Sequence, residues 1–99
     1  MNITKEKKDS KLTLALAGRL DTTTTPSLEE VINTELEGVT ELVYDLKDLE
    51  YISSAGLRML LASQKKMNSQ GGTMCLINVQ EQVNEVLEIT GFLDILTVK

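Results

Sequence analysis

Apolar and polar positions along this 99-residue chain repeat in some segments every second residue, as in strands, and in others every three to four residues, as in helices. Residues 12–16 read Leu-Thr-Leu-Ala-Leu, the alternation that is typical of a strand with one buried face. Residues 2–7 show a weaker strand pattern, and the polar stretch 8–10 can turn between these two strands. Residues 42–46 and 73–77 are short, nearly continuous apolar runs, which indicates central strands.

Three other segments place apolar residues three and four positions apart, which predicts helices over residues 26–37, 55–69 and 79–90. Thr25 is the predicted cap of the first helix, with Pro26 in its first position. Asn78 is the predicted cap of the third helix, with Glu81 placed to complete a capping box.

The predicted order is strand, strand, helix, strand, helix, strand, helix, with a short last strand at 95–98. Strands that alternate with helices require right-handed crossovers and therefore a parallel sheet, to which the first hairpin adds an antiparallel edge. We therefore predict an α/β fold. It consists of one domain over residues 1–99, with a mixed sheet of four or five strands and three main helices.

The net charge of −5 is distributed unevenly. Residues 1–20 balance at +3, residues 21–50 at −8 and residues 51–99 at zero. An acidic chain with few aromatic residues and no basic stripe is a poor binder of nucleic acid, so we expect no nucleic-acid partner. The acidic segment is either a solvated helix face or a surface that meets a basic protein partner.

Several features indicate where the protein works. No apolar run approaches the ~18 residues of a membrane span, and the first residues lack the apolar stretch of a signal peptide. Cys75 is the only cysteine, which excludes an internal disulfide and predicts a buried, inert thiol. We therefore expect a cytoplasmic protein with no membrane partner.

The sequence offers little for catalysis. It contains no histidine, which removes the commonest general base and metal ligand. Asp45, Asp48 and Glu50 follow a predicted strand and are candidate Mg²⁺ ligands, although an acidic surface turn is the commoner case. We expect no catalytic residue, no metal and no cofactor.

Two segments rich in hydroxyl groups follow predicted strands. Ser53 and Ser54 precede the second helix, where a hydroxyl can cap the helix or be covalently modified. A phosphate on Ser54 would lie where helix N–H groups and the helix dipole favour an anion. Asp21 is followed by four threonines. Either its side chain closes the loop through an Asx-type hydrogen bond, or the threonine hydroxyls face a partner.

Over nearly all its length, the chain resembles a STAS domain of the anti-sigma-factor antagonist type. The motifs that carry the resemblance are Gly-Arg-Leu-Asp at 18–21, Asp-Leu-Lys-Asp-Leu-Glu-Tyr-Ile at 45–52 and Ser-Ser-Ala-Gly-Leu at 53–57. Gly-Gly at 71–72 and Thr-Gly-Phe at 90–92 also fit.

The resemblance implies a binding protein controlled by partner switching and not an enzyme. In such proteins the unmodified form binds an anti-sigma factor that is also a serine kinase of the GHKL type, and this frees the sigma factor. The kinase then phosphorylates a serine at the start of the second helix, and a PP2C-type phosphatase reverses the modification.

The family motif is often Asp-Ser-(Ser/Thr)-Gly-Leu. Aligned on Gly56, the resemblance implies phosphorylation of Ser54. This chain has Ser53 in place of the family's Asp and Ala55 in place of its next hydroxyl. The partner surface implied around Ser54 comprises Asp21, Thr22, Ser53, Ala55, Gly56 and Arg58.

Two other functions remain open at the level of the sequence. The first is a STAS regulatory subunit of an ABC ATPase in a bacterial lipid-transport system. The second, less favoured, is an Mg²⁺-dependent enzyme that uses Asp45 and Asp48. In each case we expect Asp21 and the loop 22–25 to lie beside Ser54, because loops that follow parallel strands gather at one sheet edge.

Overall fold

A four-stranded sheet forms the centre of the computed structural model, which describes residues 1–99. β1 pairs with β2 in antiparallel orientation, whereas the pairs β2–β3 and β3–β4 are parallel. The predicted mixed sheet with an antiparallel edge hairpin is therefore confirmed. The strands lie side by side in chain order: β1 (Asn2–Lys8), β2 (Lys11–Leu20), β3 (Glu41–Ile52) and β4 (Thr73–Ile77).

Three helices cover one face of this sheet. Right-handed crossovers that step in one direction along a sheet leave their helices on the same side. This applies to the first two helices; the third follows the last strand, and its buried residues belong to the same core cluster as those of the first two and the inward-facing strand residues. The predicted α/β fold with three main helices is confirmed. The helices are α1 (Thr25–Glu35), α2 (Ser54–Ser69) and α3 (Glu81–Ile89), and a short 3₁₀ turn follows at Phe92–Asp94.

Alternation along the strands separates the two faces of the sheet. In β2, Leu12, Leu14 and Leu16 are fully buried under the helices, while the residues between them are partly exposed. Cys75 is a free, buried thiol as predicted, although with Val43 it lies outside the main core cluster. None of the helices combines the length and the apolar character that a membrane span requires.

The strands β2 and β3 are longer than the local pattern indicates. The sequence predicts strands at 12–16 and 42–46, but β2 continues to Leu20 and β3 to Ile52. These two residues pair with each other after two register shifts earlier in the ladder. Pairing with a neighbouring strand therefore extends both strands beyond their apolar runs.

The helix starts differ from the predicted ones. The cap of α1 is Thr24, so Thr25 is already helical. The predicted Asn78 cap of the third helix is wrong, because the cap is Gln80 and Glu81 is the first helical residue. Asn78 instead has a positive φ of 55°, a conformation that asparagine tolerates better than most residues, and it turns the chain after β4.

The predicted strand at 95–98 does not form as a regular strand. Only one residue pair, Leu76 and Val98, is bridged in parallel orientation beside β4. The Leu76 N–H donates to the Thr97 carbonyl at 2.8 Å, and the Lys99 N–H donates to the Leu76 carbonyl at 2.9 Å. The chain end thus covers the β4 edge over a single residue.

One buried polar pair joins β3 to α2. The Tyr44 hydroxyl lies 2.7 Å from the Ser63 hydroxyl, and both residues are fully buried. Because the single Ser63 proton is donated to the Met59 carbonyl at 2.8 Å, Tyr44 is the donor to Ser63. Burial raises the pKa of the Tyr44 phenol well above its ordinary value, so the group stays protonated and keeps donating.

We expect Ser63→Ala to lower the free energy of unfolding by about 1–3 kcal/mol, because it leaves the buried Tyr44 hydroxyl without an acceptor. The double variant Tyr44→Phe/Ser63→Ala should lose less than the sum of the two single variants, since neither unpaired group remains. Urea denaturation of the four proteins measures this. Additive losses would contradict the proposed donor chain.

Candidate functional site

The segments that carry the candidate residues leave the sheet side by side. Leu20 and Ile52 are paired at the ends of β2 and β3, and the Ser53 N–H donates to the Leu20 carbonyl at 2.9 Å. The loop that starts at Asp21 and the helix that starts at Ser54 therefore begin at the same sheet edge. The Asp21 loop and the Ser54 end of α2 are therefore neighbours, as expected from the order of strands and helices.

Ser53 caps α2. Its backbone is extended, with φ −95° and ψ 175°, and its hydroxyl oxygen accepts from the Gly56 N–H at 3.3 Å. Ser54 is the first residue of the helix; its side chain is exposed and makes no hydrogen bond within the protein. The sequence left open which serine caps the helix. In the structure the Ser53 hydroxyl forms the cap, and the Ser54 hydroxyl has no hydrogen-bond partner within the protein.

Gly56 brings the first turn of α2 against the strand ends. A Cβ atom here would lie 2.8 Å from side-chain atoms of both Ile52 and Leu20, and 3.0 Å from the Leu20 carbonyl oxygen. Only glycine fits this close approach without displacing the core. Gly56 is buried, so it supports the surface around Ser54 from beneath.

A shallow groove of about 320 Å³ runs between α1 and α2 beside Ser54. Arg58 lies at its edge, one turn after Ser54; it is exposed and forms no ion pair. Ala55 is half-buried in the groove wall. The groove is lined by Thr25, Glu29, Ala55, Arg58, Met59 and Ala62.

The Asp21 loop is held by its own threonines. Asp21 Oδ1 accepts from the Thr23 N–H at 3.0 Å, the Thr23 hydroxyl at 2.8 Å and the Thr24 N–H at 3.2 Å. The Thr23 hydroxyl bond, followed by the backbone bonds, lowers the pKa of the Asp21 carboxyl. Of the two interpretations of this loop, the structure therefore shows the first: the Asp21 side chain closes the loop through Asx-type hydrogen bonds. The Thr25 hydroxyl also bonds back, to the Asp21 carbonyl, which leaves Thr22 as the exposed threonine with a free hydroxyl.

Sequence reasoning missed one pair at this edge. The Arg19 guanidinium lies over the Tyr51 ring, 4.1 Å from the ring centroid. The two residues are register partners in the parallel ladder of β2 and β3. An exposed cation–π contact of this kind contributes about 0.5–1 kcal/mol. Both residues stand within the motifs at 18–21 and 45–52, but only the strand register shows that they meet.

The acidic residues considered as Mg²⁺ ligands do not form a cluster of three. Asp45 accepts from the Asn78 side chain and from the Lys47 N–H, both at 3.1 Å. Asp48 and Glu50 are exposed at separate positions of β3. No three His, Cys, Asp or Glu side chains lie close enough together to hold a metal ion.

Comparisons with known sequences identify relatives along almost the entire chain. A family model described as the STAS domain matches residues 2–99. BtrV of Bordetella bronchiseptica, provisionally named an anti-sigma factor antagonist, is 36% identical over 99 residues, which cover 99% of this chain and 85% of BtrV. The anti-sigma-B factor antagonist of Bacillus subtilis is 29% identical over 98 residues, which cover 99% of this chain and 90% of that protein.

Solved structures share the fold. The anti-sigma factor antagonist SpoIIAA in its unphosphorylated form superposes with a TM-score of 0.84 at 17% identity, covering 99% of this chain and 88% of that one. Its phosphorylated form gives 0.78 at 18% identity, with coverages of 99% and 91%. An anti-sigma factor antagonist from Mycobacterium paratuberculosis gives 0.86 at 23% identity, with coverages of 98% and 83%. At these identities the likeness concerns the fold alone.

The different roles of the two serines can be measured as stability. Ser53→Ala should lower the free energy of unfolding by about 1 kcal/mol, because the helix cap is lost. Ser54→Ala should change it by no more than about 0.5 kcal/mol, because the Ser54 hydroxyl makes no hydrogen bond. Urea denaturation compares both with the wild type, and equal losses would contradict the assignment of the cap.

The Asp21 loop predicts a pH dependence. Since the folded-state pKa of Asp21 is lowered, its hydrogen bonds contribute stability above about pH 4, and this is lost as the pH falls through the lowered pKa. Thr23→Ala should raise the Asp21 pKa, as measured by NMR titration of the carboxyl carbon. Thr22→Ala is the matched control and should leave the pKa unchanged. An Asp21 pKa that is insensitive to Thr23 would contradict this.

Proposed function

Because the chain belongs to the STAS domain family, we propose that it is an anti-sigma factor antagonist that works by partner switching. BtrV and the B. subtilis relative carry that name, and both align with nearly all of this chain. The observation that carries the proposal is the free, exposed hydroxyl of Ser54 at the first position of α2. In this role the protein binds partners and catalyses nothing itself.

Ser54 is the proposed phosphorylation site. A phosphate there would add roughly −1.5 to −2 charges at pH 7. It would lie beside the unpaired N–H groups of the first helical turn, where an anion is favoured. The helix cap would stay intact, because Ser53 provides it. Phosphorylation therefore changes what the surface binds and leaves the fold in place.

The proposed partner surface surrounds this hydroxyl. Thr22 and Arg58 are exposed beside it, Asp21 organises the adjoining loop, and the buried Gly56 supports it. Contact with a partner here would be interrupted by a phosphate through added bulk and repulsion from partner acids. The surface comprises Asp21, Thr22, Ser53, Ser54, Ala55, Gly56 and Arg58.

The proposed partners follow from this role. The unmodified protein binds an anti-sigma factor that is also a GHKL-type serine kinase, and a PP2C-type phosphatase restores the unmodified form. SpoIIAA, which shares the fold, has been solved with and without phosphate, which supports a phosphorylation cycle on this fold. Glu29 in the groove and the exposed Asp48 and Glu50 on β3 suit a basic partner surface. These partners locate the protein in the cytoplasm.

The alternative of a regulatory subunit on a lipid-transport ATPase is not favoured. The curated relatives named above are anti-sigma factor antagonists, and no feature of the structure points to an ATPase surface. The two roles differ in which protein the immobilised, unmodified chain should bind from a cell extract. An anti-sigma factor antagonist should bind a kinase that controls a sigma factor, whereas an ATPase regulatory subunit should bind a transporter subunit.

The proposal predicts ATP-dependent release that requires Ser54. Wild-type protein and Ser54→Ala should both retain the anti-sigma factor kinase of the source cells in the absence of ATP. With ATP, the wild type should become phosphorylated and lose affinity by about tenfold or more, through charge repulsion at the interface. Ser54→Ala should stay bound. The measurements are mass mapping of the phosphate and titration of the purified pair.

Ser53→Ala is the matched control for that experiment. It lacks a neighbouring hydroxyl of the same kind but keeps Ser54, so it should still be phosphorylated and released. Phosphate found on Ser53 or in the threonine run, with Ser54 unmodified, would contradict the assignment. So would a phosphorylated protein that binds as tightly as the unmodified one.

A further inference from the structure

The Arg19 side chain stacks on Tyr51 and is ion-paired with Asp21, but most of it remains exposed. Its guanidinium is stacked on the Tyr51 ring at 4.1 Å, and 61% of the Arg19 side chain remains exposed. Tyr51 is one of three large hydrophobic residues that are exposed, at 40%. Stacking fixes the plane of the guanidinium and leaves its edge, where the N–H donors lie, directed away from the ring.

Those donors have no hydrogen-bonded acceptor within the protein. Arg19 Nε and Asp21 Oδ2 form an ion pair at 3.6 Å without a hydrogen bond, so the terminal N–H groups of the guanidinium are still available. The other oxygen of Asp21 is already engaged by Thr23 and Thr24. A planar guanidinium with free donors and a fixed orientation matches a carboxylate, which it can bind with two parallel hydrogen bonds.

The surroundings suit a protein ligand better than a small molecule. None of the four surface cavities is lined by Arg19 or Tyr51. The pair is continuous with the proposed partner surface, because Leu20 and Ile52 follow it in the ladder and Ser53 comes next. Arginine and tyrosine are also the residue types that most often dominate the energy of protein interfaces.

We propose that Arg19, held by Tyr51, is the binding site for a carboxylate side chain of the anti-sigma factor, and that it determines which anti-sigma factor this protein accepts. The inference rests on the proposed function and names the chemistry of that partner. Its surface presents an acidic residue to Arg19 among bases that face the acids near Arg19.

Specificity follows from this mixture of charges. Asp21 lies beside Arg19, and Asp48 and Glu50 are exposed on the neighbouring strand β3, so a partner that complements this edge is mainly basic. A uniformly basic partner would place a like charge against Arg19, which is unfavourable, whereas one acid at that point removes the repulsion and adds a paired hydrogen bond. Arg19 therefore disfavours partners that match only the acids near it.

The test measures the dissociation constant of the unmodified protein with the purified anti-sigma factor. Arg19→Gln should weaken binding by about tenfold, and Arg19→Glu by about a hundredfold or more, because it repels the partner's acid. Lys65→Gln removes the same charge from an exposed position on α2, about 16 Å further along the helix than Ser54. This control should change binding by less than about twofold, as expected for a distant surface charge.

Two further arms identify the ligand and the role of the ring. Each exposed Asp and Glu of the anti-sigma factor is changed to its amide. One of these changes in the anti-sigma factor should weaken its binding to the wild-type protein. The same change should not further weaken its binding to the Arg19→Gln variant, which is the result expected of a direct pair in a double-mutant cycle. Tyr51→Phe should bind like the wild type because it keeps the stacking ring. Tyr51→Leu should bind more weakly.

The outcomes separate this inference from the proposed function. If the wild type binds an anti-sigma factor and Arg19→Gln binds equally well, or if no acid couples to Arg19, the inference is overturned and the function stands. If Arg19→Gln changes only the release caused by phosphorylation, Arg19 receives the phosphate of Ser54 and the inference is again overturned. If the wild type binds no anti-sigma factor, the function fails, and the inference fails with it.

Discussion

The parallel pairing of β2 with β3 is the constraint on which the rest of the structure depends. It continues past the apolar part of both strands to Leu20 and Ile52, and the Ser53 N–H adds one more bond to the Leu20 carbonyl. This last bond fixes where the loop and the helix begin. Gly56 then allows the first turn of α2 to lie against the same two residues at distances that exclude a Cβ atom. The position of the site is thus set by the core beneath it.

This arrangement gives the two serines different structural roles. The hydroxyl that caps the helix belongs to Ser53, and the exposed hydroxyl that makes no hydrogen bond belongs to Ser54. The loop beside them is fixed in a similar way, because threonine donors orient Asp21 from within the loop itself. A surface that is ordered before binding loses less conformational entropy on association, which favours tight and selective partners. A phosphate at the proposed site, Ser54, would therefore leave the cap of α2 in place.

Much of the site could be predicted from local sequence, and the remainder depended on distant residues. Ser53 and Ser54 were recognised because a hydroxyl pair stands between a strand pattern and a helix pattern. Which of them caps the helix could not be decided, since both positions suit a cap and only the backbone angles distinguish them. Arg19 and Tyr51 are 32 positions apart, and their contact follows from a register that two shifts in the ladder alter.

The sequence by itself determined the order of strands and helices, the mixed sheet and the position of two serines between a strand and a helix, because period, glycine and proline act over a few neighbouring residues. The tertiary structure decided the length of β3, the start of α3 and the missing last strand. Asn78 shows why: its side chain has the properties of a helix cap, but it donates to Asp45 across the sheet edge instead. A polar group bonds to whichever partner the fold brings near, and that partner can be 33 residues away.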